Sequence, residues 1–234
     1  MIASSDATAG ALAIVAAARG ARWRRVRRLT GILIPGLMLG VFVFTGLFAP
    51  LIATHDPREI VLMDRLQPPI WQGGGGWDHL LGTDNLGRDT FSRLVHGARV
   101  SLLIVGIVIP LSAVLGTAAG VIAGWRLGLV DKLIMRVVDV QLALPAILFA
   151  VLLAAVFGPS LRNVVIILVV FFWTGYARLV RGETLSLRER DFVVAAIALG
   201  ASDLRIITRH IVPNVLNIVV ILSTLEVAAV ILAE

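Results

Sequence analysis

Long apolar runs, separated by short segments that carry arginine, organise this chain. Five of them hold about 20 apolar residues, the length that crosses roughly 30 Å of hydrocarbon as a helix. They are Leu29–Ile52, Val100–Trp125, Leu133–Phe157, Val164–Val180 and Ile211–Leu232. The one sizeable polar segment, 53–99, lies between the first two. Gln67-Pro68-Pro69 and Gly73–Gly76 make its first half irregular. Its second half predicts an amphipathic helix capped by Asp84, with Leu86, Phe91, Leu94 and Val95 toward the bilayer or bundle and Arg88, Asp89 and Arg93 toward water. Orienting the second span is the commoner role of such an interfacial helix.

Composition places the five runs in a membrane. Hydrophobic residues make up 58%, mean hydropathy is +0.94, and charged residues are 15%, against about 25% in soluble domains. The fold class is therefore an all-α polytopic membrane protein. A net charge of +6 could suggest nucleic acid, but its placement argues against that. Arginines 19, 22, 24, 25, 27 and 28 precede the first run, as on a cytoplasmic flank. The mildly apolar Ala11–Ala18 lacks a basic leader and has its arginines after it, so no signal peptide is expected there.

With the N-terminus inside, those six join Arg126, Lys132, Arg136, Arg178, Arg181, Arg188, Arg190, Arg205 and Arg209 on the cytoplasmic side, fifteen of the 21 basic residues. Arg58, Arg65, Arg88, Arg93, Arg99 and Arg162 stay outside, and the 53–99 loop also holds six acidic residues. The predicted organisation is a cytoplasmic basic segment 1–28, a first span 29–52, an extracytoplasmic loop 53–99, and a core 100–234 with spans two to five and a cytoplasmic loop 181–210.

Chemistry is sparse. The chain has no cysteine, so it has neither disulfides nor thiolates. Lys132 is its only lysine, and no G-x-x-x-x-G-K-[ST] loop occurs to cradle a phosphate. No catalytic arrangement stands out, and no cofactor is implied. His55, His79 and His96 share the 53–99 loop with Asp56, Asp78 and Asp84, but their spacing fits no ligand motif, and scattered loop residues are the commoner explanation. Asp139 lies three residues from Arg136, which predicts an ion pair along one helix. Glu226 has no partner within its own span, so it must face the bundle interior, a translocation path or a further span. Gly116, Gly120 and Gly124 form a small-residue face that suits either packing within this subunit or contact with a partner.

The most informative stretch is 195–214. Ala195-Ala196 ends one helix, Gly200 supplies a left-handed turn, Ala201 follows, and Ser202 or Asp203 can cap a second helix. That helix carries Arg205, Arg209 and His210. Pro213, followed by Asn214, is expected to separate it from the last span. The result is a short surface knob.

This layout resembles the EAA loop of bacterial ABC importer permeases, the element that docks into a cleft of the ATPase subunit. Further matches make the resemblance more specific. Gly82-Thr83-Asp84-x-x-Gly87-Arg88-Asp89-x-x-Ser92-Arg93 ahead of a span is similar to the signature of the C-type permease of the dipeptide/oligopeptide/nickel importer family. Arg181-Gly182-Glu183 with Arg190-Asp191-Phe192 leads into the knob, and Arg136-x-x-Asp139 precedes Pro145. Val194 stands where the loop's eponymous glutamate would be, so no charge contact through that position carries over.

The resemblance implies the type I ABC importer transmembrane-domain fold, with five spans present of an expected six. The chain is accordingly expected to continue into another span after Glu234. It also implies a multi-pass inner-membrane permease for peptides or a related solute, nickel included. The implied partners are a second permease, two cytoplasmic ATP-binding subunits and an extracytoplasmic substrate-binding protein, with ATP hydrolysis on those separate subunits. A self-contained secondary transporter or channel is the alternative. It would call for internal repeats and several buried charges, and the chain offers only Glu226.

Overall fold

In the computed structural model, residues 30–233 are described apart from 32, 146, 147, 149, 150, 152–154 and 159. The six N-terminal arginines, Ala11–Ala18 and the end of the chain lie outside the described residues. The chain divides into two compact units, Met1–Val100 and Ser101–Glu234.

In the first unit, α1 (Leu33–Leu47) and the single turn α2 (Ala49–Ile52) are followed by an irregular segment with a 3-10 turn at Leu62–Asp64. No separate amphipathic helix forms in that segment. Thr90 instead opens α3 (Thr90–Arg126), a 37-residue helix that carries straight on into the second predicted span. Asp84 does not cap it. Asp89 does, its Oδ2 accepting the Ser92 N–H at 2.7 Å three residues on. Val95 is buried as expected, but Asp89, expected to face water, is buried too.

After α3, the described elements of the second unit are helices joined by short connections: α4 (Gly128–Ala143), α5 (Leu161–Arg188), α6 (Asp191–Ala198), α7 (Asp203–Ile206) and α8 (Val212–Ala233). Three described helical stretches are long and apolar enough to cross a membrane: Thr90–Arg126, Leu161–Arg188 and Asp203–Ala233. The predicted third span is interrupted, because α4 stops at Ala143 and Leu144 is extended (ψ 132°). A residue before proline is pushed out of the helical region, here by Pro145.

The glycine face packs inside the subunit. A methyl group on Gly116 would sit 2.4 Å from both the Trp173 carbonyl oxygen and Tyr176 Cβ; on Gly120 it would lie 2.6 Å from the Ala177 carbonyl oxygen, and on Gly124 2.8 Å from Thr184 Cβ. All four neighbours belong to α5, so α3 and α5 approach closely along this seam. Next to it, Val121, Trp125, Tyr176, Val180 and Leu187 join Val193, Ile206, Ile211, Val215 and Val219 in one buried cluster.

Polar contacts tie α4 to α5. Arg181 holds Asp131 in a two-pronged pair at 2.5 and 2.7 Å. Asp139 pairs with Arg178 of α5 at 2.7 Å, not with Arg136 as expected. The buried Gln141 donates to the carbonyls of Val170 and Phe171 and accepts from the Trp173 indole at 3.2 Å. A lone amide in an apolar helix is costly unless satisfied. Here it has three partners.

Candidate functional site: a helix-turn-helix knob and a loop motif

The knob begins where Arg190 leaves α5 in an extended conformation and α6 starts at Asp191. Its turn is built as the sequence requires. Gly200 has φ +77°, its N–H donates to the Ile197 carbonyl at 2.9 Å, and the Ala201 N–H reaches the Ala196 carbonyl at 3.1 Å. Those two bonds satisfy carbonyls that a helix end leaves open. Ser202 takes the cap position of α7 but makes no side-chain capping bond, so its contribution comes from the backbone, whose carbonyl accepts from the Ile206 N–H at 3.0 Å.

Val193 and Ile206 root the knob in the buried cluster, and Ala196 and Ala201 pack against it. The opposite side is bare and apolar: Val194, Ile197, Leu199 and Leu204 are all exposed, Leu199 at 88%. Ala195, Asp203 and Arg205 are exposed as well. Four large apolar side chains on one small projection make a surface that suits a protein partner.

Pro213 does not separate the knob from the last span. Helical backbone runs continuously from Asp203 to Ala233. Proline cannot donate to the carbonyl four residues back, and its ring presses on that carbonyl. The helix accommodates this by widening into a π turn at Ile207–Ile211, where the Val212 N–H bonds the Ile207 carbonyl. The Asn214 side chain then takes the His210 carbonyl at 2.6 Å. His210 also faces the Phe192 ring at 5.9 Å between centroids, linking the two helices of the knob. The knob is thus joined to α8 by helix, not by a hinge.

The 82–93 motif forms a self-bonded loop. Gly82 (φ +73°) and Gly87 (φ +77°) turn the chain where a side chain would collide with the backbone carbonyls of Gln67 and Val61. Thr83 accepts from the Gln67 N–H at 2.9 Å and donates to the Asp64 carbonyl. Asp84 accepts from the Leu86 and Arg88 N–H groups at 2.8 and 3.1 Å, and from the side chains of Arg88 and Arg93. Partial desolvation pushes its pKa up, but the two N–H donors and the Arg88 guanidinium outweigh this and bring it down to about 2. Asp89 behaves similarly: desolvation raises it, and the donors on Ser92 and His79 hold it below the usual carboxylate range.

Glu226 is half-buried on α8, one turn beyond the hydrogen bond from the Tyr176 hydroxyl to Ser223 (3.0 Å). Its carboxylate faces Gly175, where an added Cβ would lie 3.5 Å from Oε1. Among the described residues no hydrogen bond or ion pair reaches it. Sequence reasoning missed the Asp131–Arg181 and Gln141–Trp173 contacts, which join helices 30 or more residues apart and leave no periodic trace.

Residues 116–234 match the family described as the inner membrane component of binding-protein-dependent transport systems. A protein of Brucella suis biovar 1 described as a peptide transport system permease is 44% identical over 211 residues, 90% of this chain and 69% of the relative. The di/tripeptide transport system permease protein DppC of Pseudomonas aeruginosa is 39% identical over 210 residues, 90% of this chain and 69% of its own length. The glutathione transport system permease protein GsiD of Escherichia coli is 36% identical over 205 residues, 88% and 66% respectively. With its membrane-length helices and the knob between α5 and α8, the chain belongs to the family of binding-protein-dependent transport system inner membrane components, as a multi-pass permease subunit of an ABC importer with the type I transmembrane fold.

Proposed function

We propose that this subunit forms one half of a path for short peptides, paired with a second homologous permease. An extracytoplasmic binding protein feeds it, and two cytoplasmic ATP-binding subunits, which carry out all ATP hydrolysis, drive it. The exposed apolar face of the knob carries this reading. Val194, Ile197, Leu199 and Leu204 stand out from a rigid root, as a docking element must if it is to transmit force. The names of the Pseudomonas, Escherichia and Brucella relatives support a peptide cargo. The lone lysine supports hydrolysis elsewhere, since a phosphate-binding loop needs a lysine after its glycines and Lys132 follows none.

In this reading the N-terminus and the knob lie in the cytoplasm, and the 53–99 segment lies outside. Closure of the ATP-binding subunits moves the knob; α8 moves with it because continuous helix joins the two, and α5 follows through the buried cluster it shares with Val193 and Ile206. Their tilt alternates access to the path, with Glu226 on α8 lining it. The 82–89 motif, Gly82, Thr83, Asp84, Gly87, Arg88 and Asp89, fixes the approach to α3 and handles no substrate. The test is to purify the subunit with its neighbours and measure hydrolysis in liposomes. ATP-binding subunits should co-purify, and binding protein loaded with peptide should stimulate them. If no ATP-binding subunit is recovered, or if di- and tripeptides do not stimulate hydrolysis, the proposal fails.

A further inference from the structure

His55, His79 and Asp89 come from three separate stretches of the first unit, yet their ligating atoms all lie within 4.8 Å of one another. We propose that these three side chains form a binding site for a borderline divalent transition ion of the zinc class at the start of α3. The two imidazole rings sit 4.8 Å apart between centroids and are inclined by 35°. Asp89 is buried, and its Oδ2 is already fixed by the Ser92 N–H, so the carboxylate is held still with Oδ1 toward the imidazoles, 3.0 Å from His79 Nδ1. The His55 backbone N–H bonds the Ser92 hydroxyl at 3.0 Å, and its ring Nδ1 lies 3.0 Å from Thr54 Oγ1. Oriented rings and a hydrogen-bonded carboxylate are the outer-layer support that metal ligands need.

The donor set selects the ion. Two imidazoles and one carboxylate suit zinc and its neighbours and leave a fourth position open, whereas calcium and magnesium want oxygen alone. Zinc bonds of about 2.0–2.2 Å place ligand atoms roughly 3.4 Å apart in a tetrahedron. Binding therefore closes the widest separation from 4.8 Å to about 3.4 Å. Two further candidates in this segment are engaged elsewhere: Asp84 holds Arg88 and Arg93, and His96 Nδ1 lies 3.0 Å from the Ser92 carbonyl. A bound ion would clamp the chain just after α2 to the first turn of α3, whatever solute the permease carries.

The competing account is that His79 and Asp89 share a plain hydrogen bond and His55 is a bystander. His55 takes no part in that bond, so His55→Ala separates the two. The permease, assembled with its partner subunits in nanodiscs and stripped with chelator, is titrated with zinc near neutral pH by calorimetry, and its unfolding is followed with and without the ion. One equivalent per copy of this chain should bind, magnesium should not compete, and zinc should raise the unfolding temperature. His55→Ala should weaken binding by about tenfold or more while unfolding as wild type does in chelator. Absence of saturable binding, displacement by magnesium, or unchanged affinity in His55→Ala would overturn the site.

Discussion

Arg181 grips Asp131 with two prongs, Nε to Oδ1 at 2.5 Å and Nη2 to Oδ2 at 2.7 Å, and so fastens the first turn of α4 to the last third of α5. Sidelong pairing of this kind fixes orientation as well as distance. The Arg181 hydrogen bonds, working against some desolvation, also hold the Asp131 pKa below the ordinary carboxylate value. Since α5 leads directly into the knob, this pair sets the position of the root from which the knob projects. Asp131→Asn should therefore cost about 1.5–3 kcal/mol, the usual value of a hydrogen bond to a charged group. Arg181→Gln should cost a similar amount, and the double variant should cost clearly less than the sum. Thermal unfolding of the four proteins in nanodiscs checks this, and additive losses would remove the pair from the account.

Crowding along the α3–α5 seam predicts a graded series. Gly116→Ala drives a methyl to 2.4 Å from the Trp173 carbonyl oxygen, whereas Gly106→Ala, on the same helix, meets nothing within 4 Å. The first should lose about 1–3 kcal/mol by overpacking. The second should unfold as wild type or slightly later, because alanine is the better helix former. Equal behaviour of the two would mean that the helices do not meet along this face.

The 82–93 loop should be acid-labile. Asp84 titrates at about 2 in the folded loop against 3.8 for the free side chain. A depressed folded pKa stabilises fully above the unfolded value, so this contribution is present above pH 4 and is lost as pH falls from about 4 to 2. Amide exchange at Leu86 and Arg88, whose N–H groups the carboxylate holds, should accelerate across that window relative to the amides of α3. In Asp84→Asn the acceleration should vanish, with those amides already faster at neutral pH.

How much of this was legible in the sequence depended on the range of each interaction. Gly200 could be assigned its turn because a residue without Cβ adopts φ +77° most readily, and that requirement is local. The membrane-length helices at Thr90–Arg126, Leu161–Arg188 and Asp203–Ala233 were legible for the same reason, since hydropathy needs no tertiary knowledge. Asp84 and Asp89 were harder, because either aspartate could precede the helix, and the choice was made by Arg88 and Arg93 claiming the first. Asp139 was assigned to Arg136, its neighbour along the helix, when its partner, Arg178, lay 39 residues away on α5. Pro213 was read as a break because an interior proline usually breaks or kinks a helix. The π turn at Ile207–Ile211 and the Asn214 amide are what let the helix continue.

Orientation can be read from two positions in a chain that lacks cysteine. Gly73→Cys lies in the 53–99 segment, where a side chain meets nothing within 4 Å, and Ser202→Cys lies on the exposed knob. A membrane-impermeant maleimide should label Gly73→Cys in cells whose inner membrane is intact, and Ser202→Cys only after lysis. Labelling of both from one side would discard the orientation inferred from the arginines.

Gly200 offers the sharpest separation of knob geometry from membrane packing. Nothing lies within 4 Å of a Cβ built there, so any penalty comes from φ +77° alone. Gly200→Val places a β-branched residue in the left-handed region, at about 1–3 kcal/mol. The chain can relieve that strain only by giving up the bonds from Gly200 to Ile197 and from Ala201 to Ala196. Asparagine tolerates the same region far better, so Gly200→Asn should keep the turn. Membrane levels of both variants should match wild type, because the helices that pack in the bilayer are untouched. Peptide-stimulated ATP hydrolysis in liposomes should fall severalfold in Gly200→Val and stay near wild type in Gly200→Asn. If valine couples as well as glycine, the turn does not set the knob that the ATP-binding subunit grips. If asparagine fails as badly as valine, the space around position 200 matters in the assembled transporter, and a partner surface must approach that atom directly.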